Sequence, residues 1–289
     1  MISVVIISKD EASLDRTLAE VTAQAQAAGP AEVVVVDASG SRLDHIRRRH
    51  AGRVRWIPFQ PPAGVLVSIP HQRNAGVRAA RGDIIVFTDA GCQPEPGWLG
   101  HLVAPLQQDE CVAAGLTLAM PGSSGLYDQG ARAARDTRYL TECATINLAF
   151  RRAVFDAVGG FDERFAYGSD VDFSWRLVDR GYRIRNVPGA VIRHDWGGWR
   201  RQLRRSYVYG QARARLYRKH PSRLRHVLRE APMVVVYPAF LIGLPLTLVC
   251  PLYPALLLIP AWRNRSNGAA RVLADHLSYG AGILSELLR

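Results

Sequence analysis

Short apolar runs alternate with stretches of helical spacing through the first part of the chain. The apolar runs lie at 2–7, 33–36, 54–57 and 84–88, and the helical stretches lie at 11–28, 41–50 and 72–81. Strands and helices that alternate in this way are typical of a parallel sheet covered by helices. The pattern therefore predicts an α/β fold with a Rossmann-like, mostly parallel sheet.

Polar side chains stand where three of these apolar runs end. Ser8 follows the first run, Asp37 follows the second and Asp89 follows the last. Because ligands bind beyond the carboxyl ends of parallel strands, we expect these three side chains to converge on one site.

The middle part of the chain, residues 111–195, adds two apolar runs at 112–120 and 144–150 and an acidic helix. Val171, Trp175 and Val178 recur at helical spacing in that helix, so Trp175 is expected to pack in the core. The helix begins with a second group of carboxylates, Asp170 and Asp172. One interpretation is a capping box of Ser169 and Asp172, but such a box does not require a carboxylate at position 170.

The composition changes after Trp199. Eleven basic residues and no acidic residue lie between Trp199 and Arg229, and the segment from Ala231 to Trp262 carries no charge. About 20 apolar residues suffice to span a bilayer, although the six prolines in this segment would break one straight helix. We predict four regions: a catalytic domain at 1–210, a basic juxtamembrane helix at 211–230, an apolar membrane segment at 231–262 and an amphipathic tail at 263–289. The membrane segment is one span or a hairpin, and a buried helical hairpin in a soluble dimer is the alternative.

The net charge of the chain limits the classes of partner that it can bind. The formal net charge is +12, nearly all of it from arginine, which indicates an anionic partner. Beside an apolar segment these arginines suit anionic lipid and mark the cytoplasmic side, and no nucleic-acid-binding motif is present.

Four scattered cysteines indicate neither a disulfide framework nor a structural zinc site. No secretory signal precedes the first strand. We expect a cell-membrane protein with its catalytic domain on the cytoplasmic face, a membrane-surface partner and no nucleic-acid partner.

Taken in order, the motifs resemble those of the family 2 glycosyltransferases, and of their bacterial membrane-associated members in particular. The resemblance covers roughly residues 1–210 and rests on motifs at Ser8-Lys9-Asp10, Val33 to Asp37, Gln72-Arg73-Asn74, Gly82 to Cys92, Gly159-Gly160-Phe161-Asp162 and the Asp170 helix. It implies the GT-A fold of nucleotide-diphospho-sugar transferases, followed here by C-terminal membrane-associated helices. It also implies inverting transfer of a sugar from a nucleotide diphosphate donor.

The resemblance assigns functions to individual residues. It makes Asp37, Arg73 and Asn74 donor-binding residues, Asp89 a donor-binding residue that holds Mg²⁺ or Mn²⁺, and Asp170 the catalytic base. Their positions in the sequence add Ser8, at a strand end, to the donor-binding set and His194, also at a strand end, as a second candidate metal ligand. We expect Asp172 to be a mainly structural or acceptor-orienting acid, and Trp196 and Trp199 to stack on an acceptor or to lie at the membrane interface. Each has an ordinary alternative: an Asx turn for Asp37, a solvated helix charge for Arg73 and a structural histidine for His194. The chain departs from the family at Gly91, where a second acid is expected, and at Ser169, where Glu is usual.

The expected activity is metal-dependent hexosyl transfer to a hydroxyl on a membrane lipid, a cell-envelope glycan or a modified peptide. The sequence selects none of these acceptors, and it does not select the donor sugar. Gly91 and Ser169 motivate an alternative, a membrane-associated scaffold that binds a sugar nucleotide without turnover. A nucleotidyltransferase is a third reading, but Ser8-Lys9-Asp10-Glu11 lacks the Gly-rich basic loop that such an enzyme needs.

Overall fold

The computed structural model describes residues 1–123, 136–263 and 268–289, which form two compact units, Met1–Asp195 and Trp196–Arg289. This division precedes the limit at residue 210 that the sequence suggested. One uninterrupted helix, Trp199–Lys219, carries much of the basic stretch and passes through position 210, so the chain divides before that helix.

The first unit is built on one sheet. Its strands are β1 (Ile2–Ser8), β2 (Ala31–Asp37), β3 (Arg55–Pro58), β4 (Ile84–Asp89), β5 (Cys92–Pro94), β6 (Val112–Ala119), β7 (Tyr139–Leu140), β8 (Leu148–Arg151) and β9 (Ile184–His194). Within the described chain their order is β3-β2-β1-β4-β8-β6-β9-β5, with β7 also on β9. Strands β5, β7 and β8 run against the other six, which confirms a mostly parallel α/β sheet.

Helices connect these strands. They are α1 (Leu14–Ala27), α2 (Asp44–Arg49), α3 (Ile69–Ala79), α4 (Trp98–Gln107), α5 (Arg152–Val158) and α6 (Ser169–Asp179). The strand expected at 144–150 is a 3-10 turn over its first half, Thr145–Asn147. Asn147 explains the difference. Its buried side-chain amide donates to the carbonyls of Leu116 at 3.0 Å and Ala190 at 2.9 Å, and these bonds hold the backbone in the turn.

The strand register brings the sequence-predicted polar ends together. Ser8 pairs with Asp37 and Ile7 pairs with Asp89, so the carboxyl ends of β1, β2 and β4 meet at one edge of the sheet. The antiparallel strand β8 begins at the same edge, where Leu148 pairs with Phe87.

A cluster of phenylalanines packs the Gly159-Gly160-Phe161 turn and α6 against this sheet. It contains Phe87, Phe150, Phe155, Phe161 and Phe173, all buried. The rings of Phe161 and Phe173 stack with centroids 4.5 Å apart, and Phe87 meets Phe161 edge-on at 5.7 Å. The Gly-Gly-Phe turn and α6 are therefore held by aromatic packing. Trp175 is buried as expected.

The second unit is helical. Its helices are α7 (Trp199–Lys219), α8 (Val227–Glu230), α9 (Met233–Ile242), α10 (Leu258–Arg263) and α11 (Ala269–Leu287). Short 3-10 turns cover Pro221–His226, Leu244–Leu248 and Tyr253–Leu257. None of the helices within the described ranges has both the length and the apolarity needed to cross a membrane.

Helices α7 and α11 pack backbone against backbone at glycines. A Cβ on Gly210 would lie 2.1 Å from the carbonyl oxygen of Tyr279, and one on Gly282 would lie 2.0 Å from that of Tyr207. Close by, the buried Asp275 carboxylate accepts a hydrogen bond from Gln202 at 2.8 Å and another from the hydroxyl of Ser206. Within the predicted amphipathic tail, Ala269–Leu287 thus form a helix with one face packed on α7.

Replacement of Gly282 by alanine should destabilise the second unit by about 2 kcal/mol or more, because the new methyl group overlaps backbone that cannot move aside. Gly100→Ala is the matched control, since no atom lies within 4 Å of its Cβ position in α4. That variant should gain about 0.5–1 kcal/mol from helix propensity. Urea unfolding of both variants measures the difference, and equal midpoints would contradict the close contact.

Candidate functional site

Asp37 lies buried at the end of β2. Its Oδ1 accepts hydrogen bonds from the Ser39 backbone amide at 3.0 Å and from the Ser39 hydroxyl at 2.5 Å. The Asx turn considered from the sequence is therefore present. Because these contacts use Oδ1, they leave Oδ2 to accept a hydrogen bond from a ligand, and the turn and a binding function are compatible.

Hydrogen bonds join the loop after β1 to the loop after β2. Asp10 adopts a left-handed backbone conformation with φ of 61°, and its amide donates to the Ser39 hydroxyl at 2.7 Å. Arg42 donates to the Asp10 carboxylate and lowers the pKa of that carboxyl. At the strand end itself, the buried Ser8 hydroxyl has no hydrogen-bond partner in the described chain, as expected of a group that serves a ligand.

A tight turn follows Asp89 at the end of β4. The amide of Gly91 donates to the Thr17 hydroxyl at 3.0 Å, and that hydroxyl donates to the carbonyl of Cys92 at 2.8 Å. Gly91 has φ of 89°, and a Cβ there would lie 2.9 Å from the Ser13 hydroxyl, which is held by Glu11 at 2.6 Å. Gly91 thus stands at the family's second acid position in a left-handed backbone conformation that disfavours any side chain.

Thr17 was not foreseen from the sequence. It lies inside α1, far along the chain from Asp89, and no local pattern distinguishes it from other buried helix threonines. Only the packing of α1 against β5 shows that its hydroxyl fixes the turn.

The metal assignment joins Asp89 with His194. Cys92 pairs with His194 between β5 and β9, and His194 Nδ1 lies 3.5 Å from Cys92 Sγ. Burial raises the pKa of the Cys92 thiol, which keeps it neutral. The described residues contain no group of three or more His, Cys, Asp or Glu side chains able to hold a metal. Mg²⁺ and Mn²⁺ sites can instead combine one carboxylate with substrate phosphates and water, which Asp89 fits. His194 as a ligand stays a prediction.

Arg73 is buried in α3 and is not the solvated helix charge of the alternative reading. Its Nη1 donates to the Ser169 hydroxyl at 3.2 Å, and its guanidinium lies 5.7 Å from the centre of the Phe161 ring. Its buried Nε has no acceptor within the described ranges. A buried guanidinium with a spare donor suits an anion such as a diphosphate.

Asn74 fastens the Gly-Gly-Phe turn to α3. Its oxygen accepts the Phe161 amide, and its nitrogen donates to the Phe161 carbonyl and to the Glu163 carboxylate, each at 2.9 Å. The structure therefore gives Asn74 a structural function, and its expected contact with the donor stays a prediction.

The capping box considered as an alternative is absent from the start of α6. Gly168 caps the helix, the Ser169 hydroxyl meets Arg73, and Asp172 pairs with Arg176 instead of with the helix end. The two side chains of that box thus contact the buried Arg73 and the mostly buried Arg176, whose charges need partners.

Asp170 stands half-buried in the first turn of α6. Its Oδ1 accepts the Val171 amide at 3.0 Å, and its backbone carbonyl accepts the Ser174 hydroxyl at 2.8 Å. The same hydroxyl accepts the Cys143 amide at 3.2 Å, which ties α6 to the segment before β8. Burial and the nearby Asp170 charge raise the pKa of Cys143 to about 12, so this thiol stays protonated beside the carboxylate.

Asp172 is fully buried and forms an ion pair with Arg176 Nε at 2.8 Å. Arg176 also donates to the carbonyls of Val158 at 2.5 Å and Gly160 at 2.6 Å. Of the two functions expected for Asp172, this environment favours the structural one.

Trp196 and Trp199 belong to the second unit. The Arg205 guanidinium lies 5.2 Å from the centre of the Trp196 ring and donates to the Trp196 carbonyl at 2.6 Å. Their function on an acceptor or at a membrane interface stays a prediction.

Gly91→Asp, which would restore the family's second acid, should lower stability by about 2 kcal/mol and leave metal affinity no higher, because the left-handed backbone and Ser13 oppose the side chain. Gly52→Ala is a control, since Gly52 has φ of 79° and no atom near its Cβ position. Gly91→Ala should cost more than Gly52→Ala in urea unfolding, and Ser13→Ala should reduce the excess. Tighter Mn²⁺ binding by Gly91→Asp would contradict this account.

Asp172→Ala should destabilise the first unit by about 3 kcal/mol, because it leaves the mostly buried Arg176 charge without its carboxylate. Arg16→Ala removes an exposed pair of the same i,i+4 spacing, with Glu20, and should cost under about 1 kcal/mol. Thermal unfolding of both variants measures this, and an equal loss would show that the Asp172 pair has no special weight.

Comparison with known families agrees with this arrangement. The family model described as "Glycosyl transferase family 2" matches residues 3–162, and the model described as "Glycosyl transferase family group 2" matches residues 132–262.

Individual relatives are more distant. The pre-mycofactocin glycosyltransferase of Mycobacterium tuberculosis is 32% identical over 182 residues, which are 56% of this chain and 36% of that protein. Glycosyltransferase AglE of Haloferax volcanii is 24% identical over 81% of this chain and 80% of its own length. This chain thus spans little more than a third of the first relative.

Among solved structures, the mannosyltransferase PcManGT from Pyrobaculum calidifontis, in complex with GDP-Man and Mn²⁺, matches with a TM-score of 0.65. The match covers 96% of this chain and 86% of the other at 19% identity, and it is a likeness of fold. The fold resembles that of this GT-A structure. Because the family model matches more than half of the sequence, the chain belongs to glycosyl transferase family 2.

Proposed function

We propose that this chain transfers a sugar from a nucleotide diphosphate donor to an acceptor hydroxyl with inversion, with Asp170 as the base. The observation that carries the proposal is the convergence of Asp37 and Asp89 at one edge of the sheet, since Ser8 pairs with Asp37 while its neighbour Ile7 pairs with Asp89. The relatives described above, each named as a glycosyltransferase or a mannosyltransferase, support the same class of reaction.

The donor would lie along this edge. Asp37 Oδ2 can accept a hydrogen bond from the base or ribose, and the buried Arg73 can donate to the diphosphate. A divalent cation held through Asp89 would neutralise the charge that grows on the leaving diphosphate. The presence of Mn²⁺ with GDP-Man in the structural neighbour supports such a cation.

Asp170 would take the proton of the acceptor hydroxyl. As that proton moves to the carboxylate, the acceptor oxygen forms a bond to the anomeric carbon, and the bond from that carbon to the diphosphate breaks on the opposite face. Because the Val171 amide holds Oδ1, the second carboxylate oxygen is free to receive the proton. Attack from the opposite face inverts the anomeric centre.

The two departures from the family pattern have structural reasons. Gly91 occupies a left-handed turn against Ser13, and Ser169 supplies the hydroxyl that Arg73 contacts. Neither substitution by itself favours a scaffold that binds a sugar nucleotide without turnover. A lipid, an envelope glycan and a modified peptide remain possible acceptors.

Asp170→Asn should lower the release of nucleoside diphosphate by about 10²–10⁴-fold and leave donor binding intact, because the amide cannot take the proton. Asp89→Asn should instead lose Mn²⁺-dependent donor binding. Asp179→Asn, on the last turn of the same helix, is the control and should behave as wild type.

The measurement is a titration with UDP-, GDP- and TDP-sugars, with and without Mn²⁺, that follows binding and nucleotide release. Full turnover by Asp170→Asn would exclude it as the base. Sugar-nucleotide binding without release, for every metal and acceptor supplied, would establish the scaffold instead.

A further inference from the structure

The second unit exposes a large apolar surface. The segment from Ala231 to Trp262 has no charged residue, and many of its large side chains face solvent. Six of the most exposed side chains are together called the apolar tip: Leu248, Val249, Leu252, Leu258, Ile259 and Trp262. Leu248 is 89% exposed and Val249 is 81% exposed. An apolar patch of this extent marks an interaction site, because each such side chain would gain about 1.5–3 kcal/mol on burial.

An internal contact holds this segment in shape. The Tyr253 hydroxyl donates to the Phe240 carbonyl at 3.0 Å, and the two rings stack with centroids 5.2 Å apart. Gly243 permits the contact, since a Cβ there would lie 2.1 Å from the Tyr253 hydroxyl. The chain folds back between the two rings, which leaves Leu248, Val249 and Leu252 at the turn. The exposure of these side chains thus belongs to a defined hairpin.

Charge decides between two occupants, a lipid surface and a second copy of the chain. Eleven basic residues precede the apolar segment without one acidic residue among them, and Arg263, Arg265 and Arg271 follow it in the sequence. Two copies joined through their apolar tips would bring these like-charged flanks together, which is unfavourable. A bilayer with anionic headgroups offers acyl chains to the tip and phosphates to the arginines.

The part of the chain before α9 has the same character. The 3-10 turn Pro221–His226 buries none of its residues, and Leu224 and Leu228 are exposed among Arg223, Arg225 and Arg229. Exposed leucines among arginines are typical of segments that lie in the headgroup region of a membrane.

We propose that the apolar tip inserts into the acyl region of an anionic lipid surface while the flanking arginines bind its headgroups. The proposed lipid binding does not depend on the proposed transfer reaction, and it is measured without donor or acceptor. Failure of one proposal therefore leaves the other standing.

The test is sedimentation of the full chain with vesicles of phosphatidylglycerol or of phosphatidylcholine. Wild type should bind the anionic vesicles more tightly, and high salt should weaken the preference. The triple variant Leu248→Asp, Val249→Asp, Leu252→Asp should bind at least about a hundredfold more weakly. Leu66→Asp is the matched control, because Leu66 is an equally exposed leucine of the first unit, and this variant should bind as wild type.

Cys250 gives a second readout, because it is the exposed thiol among the four cysteines and lies at the turn of the hairpin. A water-soluble maleimide should label it quickly in solution and slowly once anionic vesicles are added, with labelling restored in the triple variant. Protection that rises with protein concentration in the absence of lipid would assign the tip to a second copy. That result, or equal vesicle binding by the triple variant and Leu66→Asp, would overturn the proposal.

Discussion

The parallel register of β1 against both β2 and β4 is the constraint on which the first unit depends. It fixes Ser8 beside Asp37 and Ile7 beside Asp89, so two carboxylates that lie far apart in sequence end at the same edge. A shift of one residue in either pairing would turn every side chain of the shifted strand to the opposite face and move its carboxylate along the edge. Val33 to Val36 and Val4 to Ile6 are buried on both faces of the sheet, so the hydrogen-bonded register of these strands is what places the site.

Buried polar contacts place the second acidic group relative to that edge. Arg73 and Asn74, neighbours on α3, contact Ser169 and the Phe161 turn respectively, while Arg176 connects Asp172 to the same turn. The phenylalanine cluster beneath them excludes water, which makes an unpaired polar group costly. The start of α6, and Asp170 with it, is consequently held by a network in which several members are needed to satisfy the others.

The second unit follows a different physical rule. Glycines let α7 and α11 approach until backbone meets backbone, and the buried Asp275 takes its hydrogen bonds from Gln202 and Ser206. The rest of its apolar side chains between Ala231 and Trp262 find little to cover them within the unit. The unit thus combines a closely packed helix pair with an apolar surface that is left for another phase or partner.

The sequence by itself determined the α/β class, the first four strands and three helices, and the convergence of Ser8, Asp37 and Asp89, because periodicity and strand ends are local properties. Only the tertiary structure decided the turn of Thr145–Asn147, the absence of the capping box and the burial of Arg73. It also decided the hydrogen bonds by which Thr17 holds the turn after Asp89. Each of these depends on partners distant in sequence, such as Asn147 with Ala190 or Thr17 with Gly91. The tertiary structure also explained Gly91: the sequence showed a missing acid, whereas the folded chain shows a left-handed backbone beside Ser13 that disfavours any side chain there.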